Sequence, residues 1–161
     1  MTEAERRARA LALFQQAYAH QVRDELDEAI RLYRESLALC PTAEAHTFLG
    51  WAYSFQGRLD EAIAECRKAI ALDPDFGNPY NDIGVYLIER GEMDDAIPWL
   101  ERAKRAPRYE PRHFPYMNMA RIHLRRGQWQ QALQEAEGAA RLAPGDPAAR
   151  KMLHEMRARF N

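Results

Sequence analysis

The chain has no apolar run approaching the ~18 residues that a membrane-crossing helix needs, so membrane insertion is not expected. Residues Met1 to Arg7 mix acids and bases, and no hydrophobic segment of a signal peptide follows. Cytoplasmic residence is therefore the expectation. Cysteine is scarce: Cys40 and Cys66 stand alone, with no CxxC or other metal-ligand spacing. They read as small apolar side chains, not as a disulfide or zinc ligands. Catalytic signatures are missing as well. There is no P-loop, GxGxxG or GxSxG, and His154-Glu155 lacks the second histidine of HExxH. The sequence points away from an enzyme and implies no cofactor and no metal.

What the chain does have is a period of about 34 residues. Leu59-Asp60-Glu61-Ala62-Ile63 recurs as Met93-Asp94-Asp95-Ala96-Ile97 and Trp129-Gln130-Gln131-Ala132-Leu133, after Gly57, Gly91 and Gly127 respectively. A fourth copy, Leu26-Asp27-Glu28-Ala29-Ile30, has Asp24 in place of the glycine. Small residues recur in step with the period. Ala17, Gly50, Gly84 and Ala120 form one set, Ala29, Ala62, Ala96 and Ala132 a second, and Ser36, Ala69, Ala103 and Ala139 a third. Small side chains at fixed places let two helices approach closely. Each copy closes near a proline, at Pro41, Pro74, Pro107 and Pro144, which cannot continue the helix before it. A two-helix unit cannot bury its apolar face alone, so such copies stack. This organisation suits binding better than catalysis.

These residues resemble the tetratricopeptide repeat (TPR) family. The resemblance covers about residues 10–161 and implies an all-α, right-handed superhelical solenoid of antiparallel helix pairs. The boundaries read as repeats 10–42, 43–76, 77–112 and 113–146, then a capping helix over 147–161, all in one domain. Thr2 and Glu5 have capping-box spacing, so the first helix is expected to start there. Asp146 and Pro147 suit the N-cap and first position of the capping helix. Ala149, Leu153, Met156 and Phe160 are expected to form its apolar stripe. The third repeat is two residues long, and the surplus lies in 106–112. This segment reads either as a surface length variant or as an arginine-bearing corner that contacts a partner.

The resemblance also implies a concave groove lined by the first helix of each pair. The groove positions are Leu11, Phe14, Gln15, Tyr18 and Gln21 in the first repeat, and Thr47, Phe48, Trp51 and Phe55 in the second. The third supplies Asn78, Asn81, Asp82 and Val85, and the fourth Phe114, Met117, Asn118, Arg121 and Arg125. Met152 and Glu155 of the cap can extend the row. Phe48 and Phe55 can equally pack as core between helices. Aromatic residues offer apolar area to bury, asparagines can pair with a peptide backbone, and arginines can fork onto carboxylates. The expected partner is a peptide or protein with apolar anchors and acidic groups. The two-carboxylate clamp of chaperone-binding TPR domains is absent: its lysine and arginine places hold Phe14, Asn78 and Asp82, or Thr47, Phe114 and Asn118.

Charge adds two alternatives. Residues 1–99 carry 10 Lys and Arg against 18 Asp and Glu, and residues 100–161 carry 13 against 6. Opposite ends can associate head-to-tail as a homo-oligomer. The arginine-rich half can also contact nucleic acid, although the acidic half argues against it. The histidines His20, His46 and His123 occupy packing places and read as structural.

Overall fold

A computed structural model describes residues 1–160. Among these, nine helices follow in order: α1 Glu3–Val22, α2 Leu26–Leu39, α3 Ala43–Phe55, α4 Leu59–Leu72, α5 Asn78–Glu89, α6 Met93–Arg105, α7 Phe114–Arg125, α8 Trp129–Leu142 and α9 Pro147–Ala158. Each odd helix from α1 to α7 packs on the even helix after it, and α9 packs on α8. The first helices also touch in succession, α1 with α3, α3 with α5 and α5 with α7. That row is the inner wall of an all-α solenoid.

The small-residue places hold the pairs together. All four alanines of the set Ala29, Ala62, Ala96 and Ala132 are fully buried, as are Ala69, Ala103 and Ala139. Ser36 is buried too, and its hydroxyl donates to the Ala10 carbonyl at 2.6 Å. Gly84 shows why the place must stay small: a Cβ there would lie 2.5 Å from Leu100 Cδ2. Tyr33, Ile83, Leu100 and Ile122 are the large side chains sealed between the helices.

The turn inside each pair needs a left-handed residue. Gly57, Gly91 and Gly127 have φ of 74°, 81° and 69°, and Asp24 adopts φ 62° at the equivalent point. Aspartate tolerates this region better than most residues, at some cost relative to glycine. A second periodic feature links neighbouring pairs. The residue that caps α3, α5 or α7 bonds back to the aspartate at the start of the preceding pair's second helix: Gln56 Nε2 to Asp27 at 2.8 Å, Arg90 to Asp60 at 2.9 Å, and Arg126 to Asp94. These exposed contacts add little stability, but they recur in register from pair to pair.

Helix starts follow the expected chemistry. Thr2 accepts from the Glu5 amide at 3.1 Å while Glu5 accepts from the Thr2 amide at 2.7 Å. Asp146 caps α9 through the Ala149 amide at 2.9 Å, and Pro147 opens the helix. The apolar stripe of α9 is shorter than expected. Ala149 and Met156 are buried and Leu153 is half-buried, but α9 ends at Ala158 and Phe160 is exposed. Met152 turns into the α7–α8 packing instead. Residue 161, the last of the expected capping segment, lies outside the described residues. No described helix is long and apolar enough to cross a membrane.

Candidate functional site: the concave wall

At the N-terminal end the wall is aromatic. Phe14 meets Phe48 edge-on at 5.2 Å, Tyr18 meets Phe48 at 5.7 Å, Phe48 meets Trp51 at 5.9 Å, and Trp51 meets Phe55 at 5.2 Å. The first three pairs are edge-to-face and Trp51–Phe55 is tilted, and such pairs favour one fixed arrangement of the rings. Their exposure differs along the row. Phe14 and Phe48 are half-buried against Tyr33, whereas Trp51 and Phe55 are 38% and 56% exposed. Phe48 therefore serves both core and surface, and Phe55 is surface. A cavity of about 720 Å³ opens beside this row, lined by Leu11, Phe14, Tyr18, Phe48 and the start of α3.

In the middle, α3, α5 and the 106–113 segment enclose a smaller cavity of about 310 Å³, with Trp51, Asn78, Asp82, Tyr109 and Phe114 in its walls. The long third repeat makes this possible, because its loop folds back onto α5. Arg108 pairs in backbone with the segment before α5: its amide donates to Asp75 O at 3.0 Å and its carbonyl accepts from Gly77 N at 2.8 Å. Tyr109 is buried directly on Gly77, where a Cβ would lie 2.6 Å from the tyrosine ring. The loop arginines are committed inside the molecule. Arg108 bonds Asp73 and, at 3.3 Å, Glu44. Arg112 donates to the carbonyls of Lys104 and Ala106 at 2.9 and 2.8 Å. The segment is a built corner of the groove, and these two side chains are its internal ties.

A polar ladder crosses from α7 to α5. Arg121 donates to Asn118 Oδ1 at 2.7 Å, and Asn118 Nδ2 donates to Asn81 Oδ1 at 2.9 Å. Both asparagines are buried, so each is partly spent on the other. The amide of Asn78 donates to the Glu110 carbonyl at 3.3 Å, and its Oδ1 is buried with no partner among the described residues. Met117 is 5% exposed and packs with Ala139 and Ala149, which makes it core between α7 and α8 and not groove surface. Arg121 and Arg125 form no ion pair among the described residues. Desolvation and the neighbouring Arg125 charge lower the Arg121 pKa, which a bound carboxylate would relieve.

Two carboxylates, Glu65 buried and Asp82 half-buried, behave in opposite ways. For Glu65, burial works to raise the pKa, but hydrogen bonds from His46 at 2.6 Å and Lys68 at 2.9 Å outweigh it and hold the carboxyl below its usual value. His46 is thus a structural partner. Asp82 has no such partner. Burial pushes its carboxyl up to about 7, with only Asn81 pulling the other way. Of the other histidines, His20 Nδ1 lies 3.3 Å from Glu25 and His123 Nδ1 2.7 Å from Gln128. His113 Nε2, 3.5 Å from Asp146, makes no hydrogen bond among the described residues, and His154 is exposed. Burial raises the Cys66 thiol pKa, which leaves it a poor nucleophile.

Three family models, each described as tetratricopeptide repeat, match residues 10–43, 43–76 and 115–156, together more than half of the chain. This chain belongs to the tetratricopeptide repeat family. Solved structures similar to this chain include PilF of Pseudomonas aeruginosa, at TM-score 0.85 and 23% identity over 98% of this chain and 70% of that one. PilW, described as a type IV pilus biogenesis factor, superposes at TM-score 0.81 with 19% identity over 92% of this chain and 69% of that one. At these identities the likeness concerns the fold. A TPR repeat-containing thioredoxin, TTL4 of Arabidopsis thaliana, is 30% identical over 70 residues, which is 43% of this chain and 10% of that protein. The chain thus spans about a tenth of that curated relative. The TPR fold is in general a scaffold for protein–protein interaction.

Proposed function

We propose that this TPR protein is a non-enzymatic adaptor that holds an extended or helical peptide segment of a protein partner along its concave wall. The observation that carries this reading is the exposed aromatic row of Trp51 and Phe55 continuing, through the 310 Å³ cavity, to the unpaired Arg121 and Arg125. Apolar anchors would seat on Phe14, Tyr18, Trp51 and Phe55, where burial is worth about 25 cal/mol per Å². Acidic groups would meet Arg121 and Arg125. The two free thiols suit a reducing, cytoplasmic setting.

The two alternatives have less in their favour. Five of the thirteen bases after residue 100 are paired within the described residues: Lys104 with Glu101 and Glu135, Arg105 with Glu101, Arg108 with Asp73 and Glu44, Arg126 with Asp94, and Lys151 with Glu155. Those pairings shorten the track open to phosphates and weaken a charge-driven contact between copies.

The test is selection of peptides from a random display library on the immobilised protein. Enriched peptides should carry apolar anchors followed by acidic residues. They should lose binding to Trp51→Ala and to the double variant Arg121→Glu, Arg125→Glu. Enriched peptides that bind both variants as well as the parent would overturn the groove assignment.

A further inference from the structure

The central cavity contains a group that neither the apolar anchors nor the arginines explain. Asp82 lines it from α5, and no cation among the described residues pairs with that carboxylate. Two cations of the neighbouring elements are engaged elsewhere, Arg112 on the carbonyls of Lys104 and Ala106, and Arg121 on Asn118. Beside Asp82, Asn78 offers a second acceptor, because its Nδ2 is used on Glu110 and its Oδ1 has no partner among the described residues. The titratable groups that feel the Asp82 charge are Cys66 from α4, Tyr86 from α5 and Tyr109 from the loop, none of them cationic. The walls are aromatic: Phe48 and Trp51 from α3 and Phe114 from α7.

Acceptors at the base, aromatic faces at the sides and room for one long side chain make a site for a cation on an aliphatic stem. A carboxylate in partial burial calls for a charge partner, and aromatic faces attract a cation laid over them. The acidic half of the chain adds a favourable long-range field.

We propose that this pocket receives one lysine or arginine side chain of the bound peptide, its stem against Phe48, Trp51 and Phe114 and its cation on Asp82 and Asn78 Oδ1. The proposal rests on the peptide-binding reading above and adds a specificity determinant to it. The peptide would then present an apolar anchor, a basic residue and an acidic group in that order along the groove. A folding cost at Asp82 that only a ligand relieves is what a binding group produces, since sites of recognition trade stability for function.

The experiment uses the intact chain, isotope-labelled, with resonances followed at the Trp51 indole, the Asn78 amide group, Phe14 and Arg121. It is titrated with acetylated, amidated alanine pentapeptides bearing lysine, arginine, norleucine or glutamate at the centre. Lysine and arginine peptides should shift Trp51 and Asn78 with affinity about tenfold above norleucine. Asp82→Asn should erase that preference and leave norleucine binding unchanged. This variant keeps the shape of the pocket and removes a desolvated charge, so it is expected to fold at least as well as the parent. Equal binding of lysine and norleucine, a preference for glutamate, or a lysine preference that survives Asp82→Asn would each overturn the basic pocket while the groove stands. No shift at any of the four reporters with any peptide would remove both the pocket and the groove.

Discussion

The two ends of the concave wall share one backbone and differ in side-chain chemistry. Around α1 and α3 the wall is a chain of rings, from Phe14 through Phe48 and Trp51 to Phe55. Around α5 and α7 it is a hydrogen-bonded row, Arg121 to Asn118 to Asn81. Behind both ends the packing residues are the same kind: Ala17, Gly50, Gly84 and Ala120 where each first helix meets its partner. The contrast separates one set of positions, which builds the solenoid, from another, interleaved on the same helices, to which we assign recognition. Change at the second set leaves the first intact.

That separation can be broken most forcefully at the packing set. Gly84→Ala places a Cβ 2.5 Å from Leu100, and Gly50→Ala places one 2.9 Å from the Ala62 carbonyl oxygen. Each should destabilise by about 2 kcal/mol, equally at the polar and aromatic ends, as read by denaturant midpoint. A loss at one end only would show that the two ends are not built alike.

Asp82 sharpens the contrast from the recognition side. Its folded pKa lies above its ordinary 3.8, so its unfavourable ionisation grows as pH rises from about 4 towards 7 and is absent in acid, where both states are protonated. Asp82→Asn should therefore stabilise the chain at pH 8 by about 2 kcal/mol, less than the whole shift converts to because the carboxylate keeps some access to water. The gain should vanish near pH 4. Glu65 works in the other direction. Its lowered pKa contributes stability above the ordinary carboxylate range that is lost on acidification. Equal stabilisation by Asp82→Asn at pH 4 and pH 8 would contradict this account.

Salt separates the two ends in binding. For a selected peptide, Trp51→Ala should cost about 1–2 kcal/mol at any ionic strength. The pair Arg121→Glu, Arg125→Glu should cost a similar amount at low salt and less as salt rises. Isothermal titration at two salt concentrations distinguishes them, and identical salt dependence would collapse the two ends into one. The smallest effect is expected at the weakest copy of the turn. Asp24→Gly should stabilise by about 0.5–1 kcal/mol, because glycine adopts φ 62° without penalty.

Much of the scaffold was legible in the sequence because it repeats. Periodic small residues, the glycine turns and the closing prolines are local signals, and the caps at Thr2 and Asp146 follow from spacing alone. The α9 stripe was overextended because periodicity continues past the point where the helix ends, and Phe160 lies beyond it. The proposed site was legible only as a row of places on the first helices, and its side-chain pairings were not. Nothing local shows that Asn81 and Asn118, 37 residues apart, bond each other. Nor does it show that Met117 turns inward to Ala139, or that Arg108 is taken by Asp73 and Glu44. Those pairings cross between repeats, so no single period encodes them. The unpartnered state of Asp82 was hidden for the same reason: only the assembled neighbours reveal that no cation arrives.

The most direct test of the central claim maps where a selected peptide touches the intact protein, by hydrogen–deuterium exchange and backbone chemical shifts. Protection and shifts confined to α1, α3, α5, α7 and the 106–113 loop, running from Phe14 to Arg121, are the predicted result. Perturbation centred on α2, α4, α6 or the Trp129 face of α8, with the inner wall unchanged, would contradict it.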